Sequence, residues 1–177
     1  SLNLAISIAM EMDRTILLVD ADLAKPGLSR LLNIDNGPGL TDRLTDPQVD
    51  LSDMLIHTDI PKLTIMPAGR RHQHSTELLA SNTMRQLLDE LALRYSDRVI
   101  LFDSPPILET SEASVLAQHM GQICLVVESG ATPQFLIKDA LSQLGLKDNL
   151  FLLLNKCKPE PFLGKYRYGY SYGYRYG

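Results

Sequence analysis

Three carboxylates stand where they could do chemistry together. The run "ILLVDADLAKP" (16–26) is an apolar strand pattern ending in two aspartates, Asp20 and Asp22, one residue apart. The run "VILFDSPP" (99–106) is a second such strand, tipped by Asp103. In an open parallel sheet ligands bind beyond the carboxyl ends of the strands, so acids there face a site. Two neighbouring carboxylates suit a bound Mg²⁺ or the proton of an attacking hydroxyl. After Asp103, Pro105 and Pro106 stop the strand and stiffen the turn that carries the acid. An apolar strand tipped by Asp is the form of a Walker B element, whose acid holds Mg²⁺. For Asp20 and Asp22 the competing reading is a helix N-cap beside a surface acid. Two acid-tipped strands in one chain favour the site. A third strand-like run ends in Asn155 within "LLNKC" (153–157). Its amide can pair with an adenine edge, although on spacing alone a turn or cap asparagine is the simpler reading.

The elements that must position these residues are legible as five nearly continuous apolar runs: "TILLVD" (15–20), "LTIMPAG" (63–69), "RVILFD" (98–103), "ICLVVE" (123–128) and "LFLLLN" (150–155). Runs without alternation are how strands covered on both faces of a parallel sheet read. Helical periodicity lies between most of them. "NTMRQLLDELALRY" (82–95) places Met84, Leu87, Leu88, Leu91 and Tyr95 on one face, with Asn82 as N-cap. "SEASVLAQHM" (111–120) and "PQFLIKDALSQLG" (133–145) are two more helices, the latter with Pro133 in its first turn and Gly145 at its end. Short helical pieces are expected in "GLTDRLTD" and "DLSDMLIH", and a polar loop over 68–76. The alternation predicts an α/β fold: a doubly wound, mostly parallel sheet with helices on both faces and right-handed crossovers. The chain opens on an amphipathic helix, 1–13, with no strand before it. Such a domain rarely opens on a helix, so a first strand and its following turn are expected ahead of it.

Composition narrows the classes. A chain of 177 residues suits one α/β domain, and a formal net charge of −4 argues against a general nucleic-acid binder. No apolar run spans a bilayer and no signal peptide is visible. Cys124 and Cys157 lack metal-ligand spacing, which fits a reducing, cytoplasmic setting; Cys124, inside an apolar run, reads as a buried thiol. His72 and His74, with Arg70 and Arg71, form a basic loop in which no third metal ligand is evident. Ser104 has no neighbouring His base, so a hydrolase triad is not supported.

The carboxyl end has a different composition. Six of the seven tyrosines, Tyr166, Tyr168, Tyr170, Tyr172, Tyr174 and Tyr176, occupy every second position of a Gly-spaced tail. Residues 1–160 read as the folded domain and 161–177 as a tail too poor in aliphatics to fold alone. Phosphoacceptor tyrosines, or a low-complexity end that self-associates or stacks on RNA, are the two readings. The aspartate motifs favour the first. Each phosphate adds about −1.5 to −2 charge, enough to turn the weakly basic tail strongly acidic and drive docked subunits apart.

The order "RTILLVDADLAKPGLSRLL", "LTIMPAG" with "ELLAS", "RVILFDSPPIL" and the Tyr-rich tail resembles the bacterial tyrosine autokinases of exopolysaccharide synthesis, most of all the exosortase-associated subgroup. These are P-loop kinases related to MinD-like ATPases. The resemblance implies that Asp20 and Asp22 match the Walker A′ motif, with Asp20 the base or hydroxyl-orienting residue and Asp22 near the metal. It implies that Asp103 matches the Walker B aspartate, contacting Mg²⁺ directly or through water, that Asn155 matches the position that often meets adenine in related MinD-like ATPases, and that the tail tyrosines accept the γ-phosphoryl of ATP. A homo-oligomer phosphorylating in trans and an inner-membrane chain-length-determinant partner are implied too, at the cytoplasmic face of the plasma membrane. Two departures stand out. Ala24 holds the place of the family's usual basic residue; Lys25 is adjacent, a point charge without the guanidinium fork. No G-x-x-x-x-G-K-[ST] loop occurs in these residues, so this chain is expected to bind ATP poorly and to be inactive by itself. The alternatives are a MinD/ParA-like ATPase switch without kinase activity and a non-catalytic interaction module with a degenerate site.

Overall fold

The computed structural model of the chain describes residues 1–34, 37–95, 97–145 and 148–158. Its first parallel ladder is built on β1 (Thr15–Asp20), which lies between β3 (Leu63–Met66) and β4 (Arg98–Asp103). A two-residue strand, β2 (Ile56–His57), pairs antiparallel on the outer side of β3. β5 (Ile123–Glu128) and β6 (Leu150–Asn155) form a second, parallel pair.

Alternate residues of β1 feed two cores, as a pleated strand requires. Leu17 and Val19 pack with α3 (Leu40–Thr45), α4 (Leu51–Met54) and α6 (Asn82–Arg94) through Leu40, Leu44, Met54, Leu87 and Leu91. Ile16 and Leu18 face the other way, onto Ala5 and Ala9 of α1 (Leu2–Ala9) and Leu28 of α2 (Gly27–Leu31). β4 keeps the same parity: Ile100 and Phe102 pack on the first core, Val99 and Leu101 on the second. Helices thus cover both faces, and the doubly wound α/β expectation holds. α5 (Ser75–Leu79) and α7 (Ser111–Ala117) are tied by a buried hydrogen bond from Ser75 Oγ to Glu112 Oε1, 2.5 Å. α8 (Gln134–Leu144) joins β5 to β6 and ends at Gly145, whose positive φ of 72° suits a residue without Cβ.

Several expectations need correction. Ser81, not Asn82, caps α6: its extended backbone lets Oγ accept from Met84 N at 3.1 Å, while Asn82 is already helical. α1 stops at Ala9 rather than at residue 13, and the carbonyls of Glu11 and Met12 accept from Lys62 Nζ instead. β2 lies inside the stretch read as helical, because Ile56 and His57 find ladder partners in Ile65 and Thr64. The larger departure is at β5 and β6. β1 is buried on both faces, but Phe151, Leu152 and Leu154 of β6 are more than half exposed, as is Val126 of β5. Cys124 is exposed as well, not buried. Among the described residues β5 pairs with β6 alone and β4 with β1 alone, so the two ladders do not merge. Tyr95 packs against the first core as expected, with the Arg98 guanidinium 4.2 Å from its ring centroid. Among the described residues no helix is long and apolar enough to cross a membrane.

This burial contrast is measurable. Leu17→Ala removes a fully buried side chain and is expected to cost about 2–5 kcal/mol in urea unfolding. Leu154→Ala, on the exposed ladder, should stay within about 0.5 kcal/mol.

Candidate active site

Asp20 and Asp103 end adjacent strands at the same register position, and Ala21 N donates to Asp103 O at 2.9 Å to extend the ladder past them. Strand parity puts both side chains on the face that carries α1 and α2, because Asp20 follows Ile16 and Leu18, and Asp103 follows Val99 and Leu101. A sequence-distant pair has become a neighbouring pair through register alone.

Asp20 is fully buried. Its Oδ2 accepts from both the amide and the hydroxyl of Ser29 in α2, each at 3.0 Å. Its Oδ1 is buried with no hydrogen-bond partner. Burial raises the Asp20 pKa above the usual carboxylate range; the two Ser29 bonds pull against that, the charge of Asp103 adds to the rise, and the nearby Asp22 amide lowers it slightly. An unpaired buried carboxylate oxygen beside a second carboxylate is the arrangement a cation or a hydroxyl proton would complete.

Asp22 is half-buried, and its Oδ1 accepts from Lys25 N at 2.9 Å, closing the turn that leads into α2. Asp22 thus closes a turn ahead of α2 rather than capping the helix, whose N-cap is Pro26; it is Asp20 that holds a first-turn amide of α2, that of Ser29. Lys25 is exposed; its backbone closes this turn, and its Nζ makes no hydrogen bond or ion pair within the described residues. Asn155 stands at the carboxyl end of the other ladder, opposite Glu128, exposed, its Oδ1 accepting from Lys156 N at 2.9 Å. The structure thus joins Asp20 to Asp103, keeps Asp22 two residues on, and leaves Asn155 on a separate ladder. Tyr166, Tyr168, Tyr170, Tyr172, Tyr174 and Tyr176 lie outside the described residues.

Among the described residues no three His, Cys, Asp or Glu side chains gather as a metal cage. Mg²⁺ does not need one: it is commonly held by one or two carboxylates, with waters and substrate phosphates completing its shell. Asp103 at the strand end and the Asp22 oxygen not used in its turn are carboxylate donors of that kind, and the free Oδ1 of Asp20 beside them is left for a proton. His74 Nδ1 lies 3.6 Å from Glu77 Oε1, and His72 Nδ1 accepts from His74 N. Ser29 was missed by sequence reasoning. It comes nine residues after Asp20, and only the docking of α2 against β1 brings it there.

The buried charge sets a test. Because the Asp20 pKa is raised on folding, its contribution to stability is full below the ordinary carboxylate range and is lost as pH rises through the raised value. Asp20→Asn removes that charge. In metal-free buffer the variant should melt higher than the parent at pH 7, and the gap should close as pH falls towards 4. A gap independent of pH would contradict the assignment.

No protein-family profile matches the chain. Individual relatives do. The tyrosine-protein kinase ptk of Acinetobacter johnsonii is 34% identical over 86% of this chain and 21% of its own. The succinoglycan biosynthesis transport protein ExoP of Rhizobium meliloti is 34% identical over 93% of this chain and 21% of its own. The chain thus spans about a fifth of the length of these curated relatives. The crystal structure of the VpsO kinase domain superposes with a TM-score of 0.79 at 33% identity, over 89% of this chain and 77% of that one. ParA- and MinD-type ATPases share the fold at 17% and 24% identity, a likeness of fold alone. With a buried Asp20 opening an Asp-x-Asp strand end, a register-matched aspartate on the next strand and this degree of identity to a kinase domain, the chain belongs to the bacterial tyrosine-protein kinases.

Proposed function

We propose that these residues form the catalytic domain of an ATP-dependent protein-tyrosine autokinase that regulates exopolysaccharide synthesis and export. Residues 1–160 are the kinase domain and 161–177 its acceptor tail. The observation that carries the reading is the buried Asp20, with one oxygen held by Ser29 and the other without a partner beside Asp103.

MgATP supplies the transferable phosphoryl group. Asp22 and Asp103 are the carboxylates for Mg²⁺, with the second oxygen of Asp22 left over from its turn bond. Asp20 Oδ1 takes the proton of the attacking tyrosine hydroxyl, while Ser29 holds the carboxylate in place. A pKa raised by burial suits that base, because proton transfer is best when base and operating pH are not far apart. The tyrosine oxygen gains the γ-phosphoryl, its proton passes to Asp20, and ADP leaves. Asn155 offers its amide to an adenine edge and Lys25 its charge to phosphate. The acceptors are Tyr166, Tyr168, Tyr170, Tyr172, Tyr174 and Tyr176 of a neighbouring subunit. An inner-membrane chain-length-determinant partner, with the domain on the cytoplasmic side, completes the reading. ExoP, named for succinoglycan transport, supports the polysaccharide context.

The 177 residues contain no G-x-x-x-x-G-K-[ST] loop to cradle the phosphates. Calorimetric titration of MgATP into this chain should therefore give little or no heat, and the chain by itself should be inactive. The decisive experiment extends it at the amino end by a strand and such a loop, adds MgATP and maps phosphate by mass spectrometry. Phosphate on Tyr166–Tyr176 that falls at least ~100-fold in an Asp20→Asn, Asp22→Asn variant is the expected result. ATP hydrolysis with an unmodified tail would point instead to a MinD/ParA-like switch, and neither activity to an interaction module.

A further inference from the structure

The turn that leaves Asp103 has little of its own to hold it. Glu109 N donates to Pro106 O at 3.1 Å within the turn, and Ser104 Oγ donates to the adjacent Pro105 O at 3.1 Å. Among the described residues no hydrogen bond joins Ser104–Glu109 to a segment outside the turn. The far end is tied by α7 instead. Glu112, in the first turn of α7, is buried, and its Oε1 accepts from Ser75 Oγ of α5 at 2.5 Å. Beside this bond, Thr76 Oγ1 and Ser111 Oγ stand 3.4 Å apart. Thr110, the N-cap of α7, makes no side-chain cap bond, and its Oγ1 is buried without a partner among the described residues. The start of α7 is thus fixed across to α5 rather than by its own cap. We infer that Glu112, acting through Ser75, is a positioning residue that holds Asp103 in place for Mg²⁺. The inference rests on the reading of Asp103 as a carboxylate for that ion.

Burial makes Glu112 an expensive choice for a merely structural contact. Both helices give leucines to the first core, Leu79 from α5 and Leu116 from α7. Burying a carboxyl group beside such a core costs free energy that an apolar side chain of similar size would not. Among the described residues Glu112 forms no ion pair to offset this, and Ser75 is the one hydrogen-bond partner of its side chain. What the pair supplies is direction. Apolar contacts tolerate sliding, whereas a hydrogen bond with both ends buried fixes the spacing of the two helix starts.

α5 is a firm post for this tie. Leu79 is fully buried, and Ser81 Oγ donates to Leu78 O at 2.6 Å where α5 passes towards α6. The segment ahead of α5 is clasped to α3 by Asp42 Oδ2, which accepts from Gly39 N at 2.9 Å and from Arg70 N at 3.1 Å. Pinned to α5 by Glu112, α7 holds the outgoing end of the Asp103 turn. The ladder bond from Ala21 N to Asp103 O, 2.9 Å, holds the incoming end. Pro105 and Pro106 stiffen the path between, so a displacement at one end is passed along rather than absorbed. The carboxylate sits at the incoming end of that path.

The test uses the full chain and Mn²⁺ alone as a paramagnetic stand-in for Mg²⁺, titrated by electron paramagnetic resonance, with amide hydrogen exchange as a second readout. Ser75→Ala and Glu112→Ala should each weaken Mn²⁺ binding ~10-fold and speed exchange of the Glu109 amide at least ~10-fold, with the β4 amides unchanged. Glu112→Gln keeps an oxygen for Ser75 and should restore both readouts. The double variant should be no worse than either single one, because each removes the same bond. Asp50→Ala removes the cap of α4. It should lower the melting temperature without moving either readout, which separates positioning from stability. No Mn²⁺ bound by the parent, unchanged affinity in Ser75→Ala and Glu112→Ala, or a Glu112→Gln variant as weak as Glu112→Ala would overturn the inference. Asp103→Asn tells the two readings apart. If it abolishes Mn²⁺ binding while the Ser75 and Glu112 variants bind normally, the metal reading stands and the inference fails. If it leaves Mn²⁺ binding intact, the metal reading itself is wrong and the inference falls with it.

Discussion

The carboxyl edge of this fold depends on one pairing, the parallel register of Thr15–Asp20 with Arg98–Asp103. It sets two carboxylates side by side, one of them fully buried. Both circumstances oppose ionisation: removal from water disfavours the charged form, and a like charge disfavours it further. Ser29 offsets part of that with two bonds to a single oxygen, and the other oxygen stays unsatisfied. A hydrophobic core does not require this. The apolar residues of β1 would pack as well above a neutral strand end. Stability is being given up at the place where chemistry needs an available lone pair, a pattern expected of functional sites rather than of structural ones.

The same strand explains how the site is held in place. Ile16 and Leu18 are locked against one helical layer, Leu17 and Val19 against the other. Asp20 is the next residue, so its backbone inherits the order of four fully buried neighbours. α2 is then held to the strand end by the Ser29 bonds, and the turn before it by Asp22. Position at the site follows from packing one residue upstream, with short local bonds refining it.

The second ladder is organised differently. β5 and β6 are as regular as β1 and β4, with six register pairs running from Ile123↔Leu150 to Glu128↔Asn155, yet their side chains remain largely in contact with water. Burial is concentrated around β1, while at the second ladder it is limited to Val127 of β5 and to Ala140 and Leu144 of α8. On the other side of β1 the approach is tighter still. The loop after β3 meets the start of α3 so closely that Gly39 and Gly69 must both lack a Cβ, and Asp42 bridges the two segments. That junction presents Arg70 and Arg71 beside α2.

Much was readable without coordinates. Continuous apolar runs located β1, β4, β5 and β6 to the residue, because strands in parallel sheets carry little polar punctuation. The Asp-x-Asp end of β1 and the Asp-Ser-Pro-Pro end of β4 declared themselves by acid following apolar residues. The sequence by itself thus determined which elements form, which side chains end them, and the family they resemble. It could not determine what depends on long-range register and docking. That Asp20 opposes Asp103 rather than a neighbour one residue away, that Ser29 satisfies one Asp20 oxygen and leaves the other, and that Arg30 joins Arg70 and Arg71 across about forty residues of chain are outcomes of packing. So is the exposure of β6, whose composition matches that of a buried strand. Local pattern encodes periodicity and end signals; only the assembled layers decide which face meets water and which distant groups meet each other.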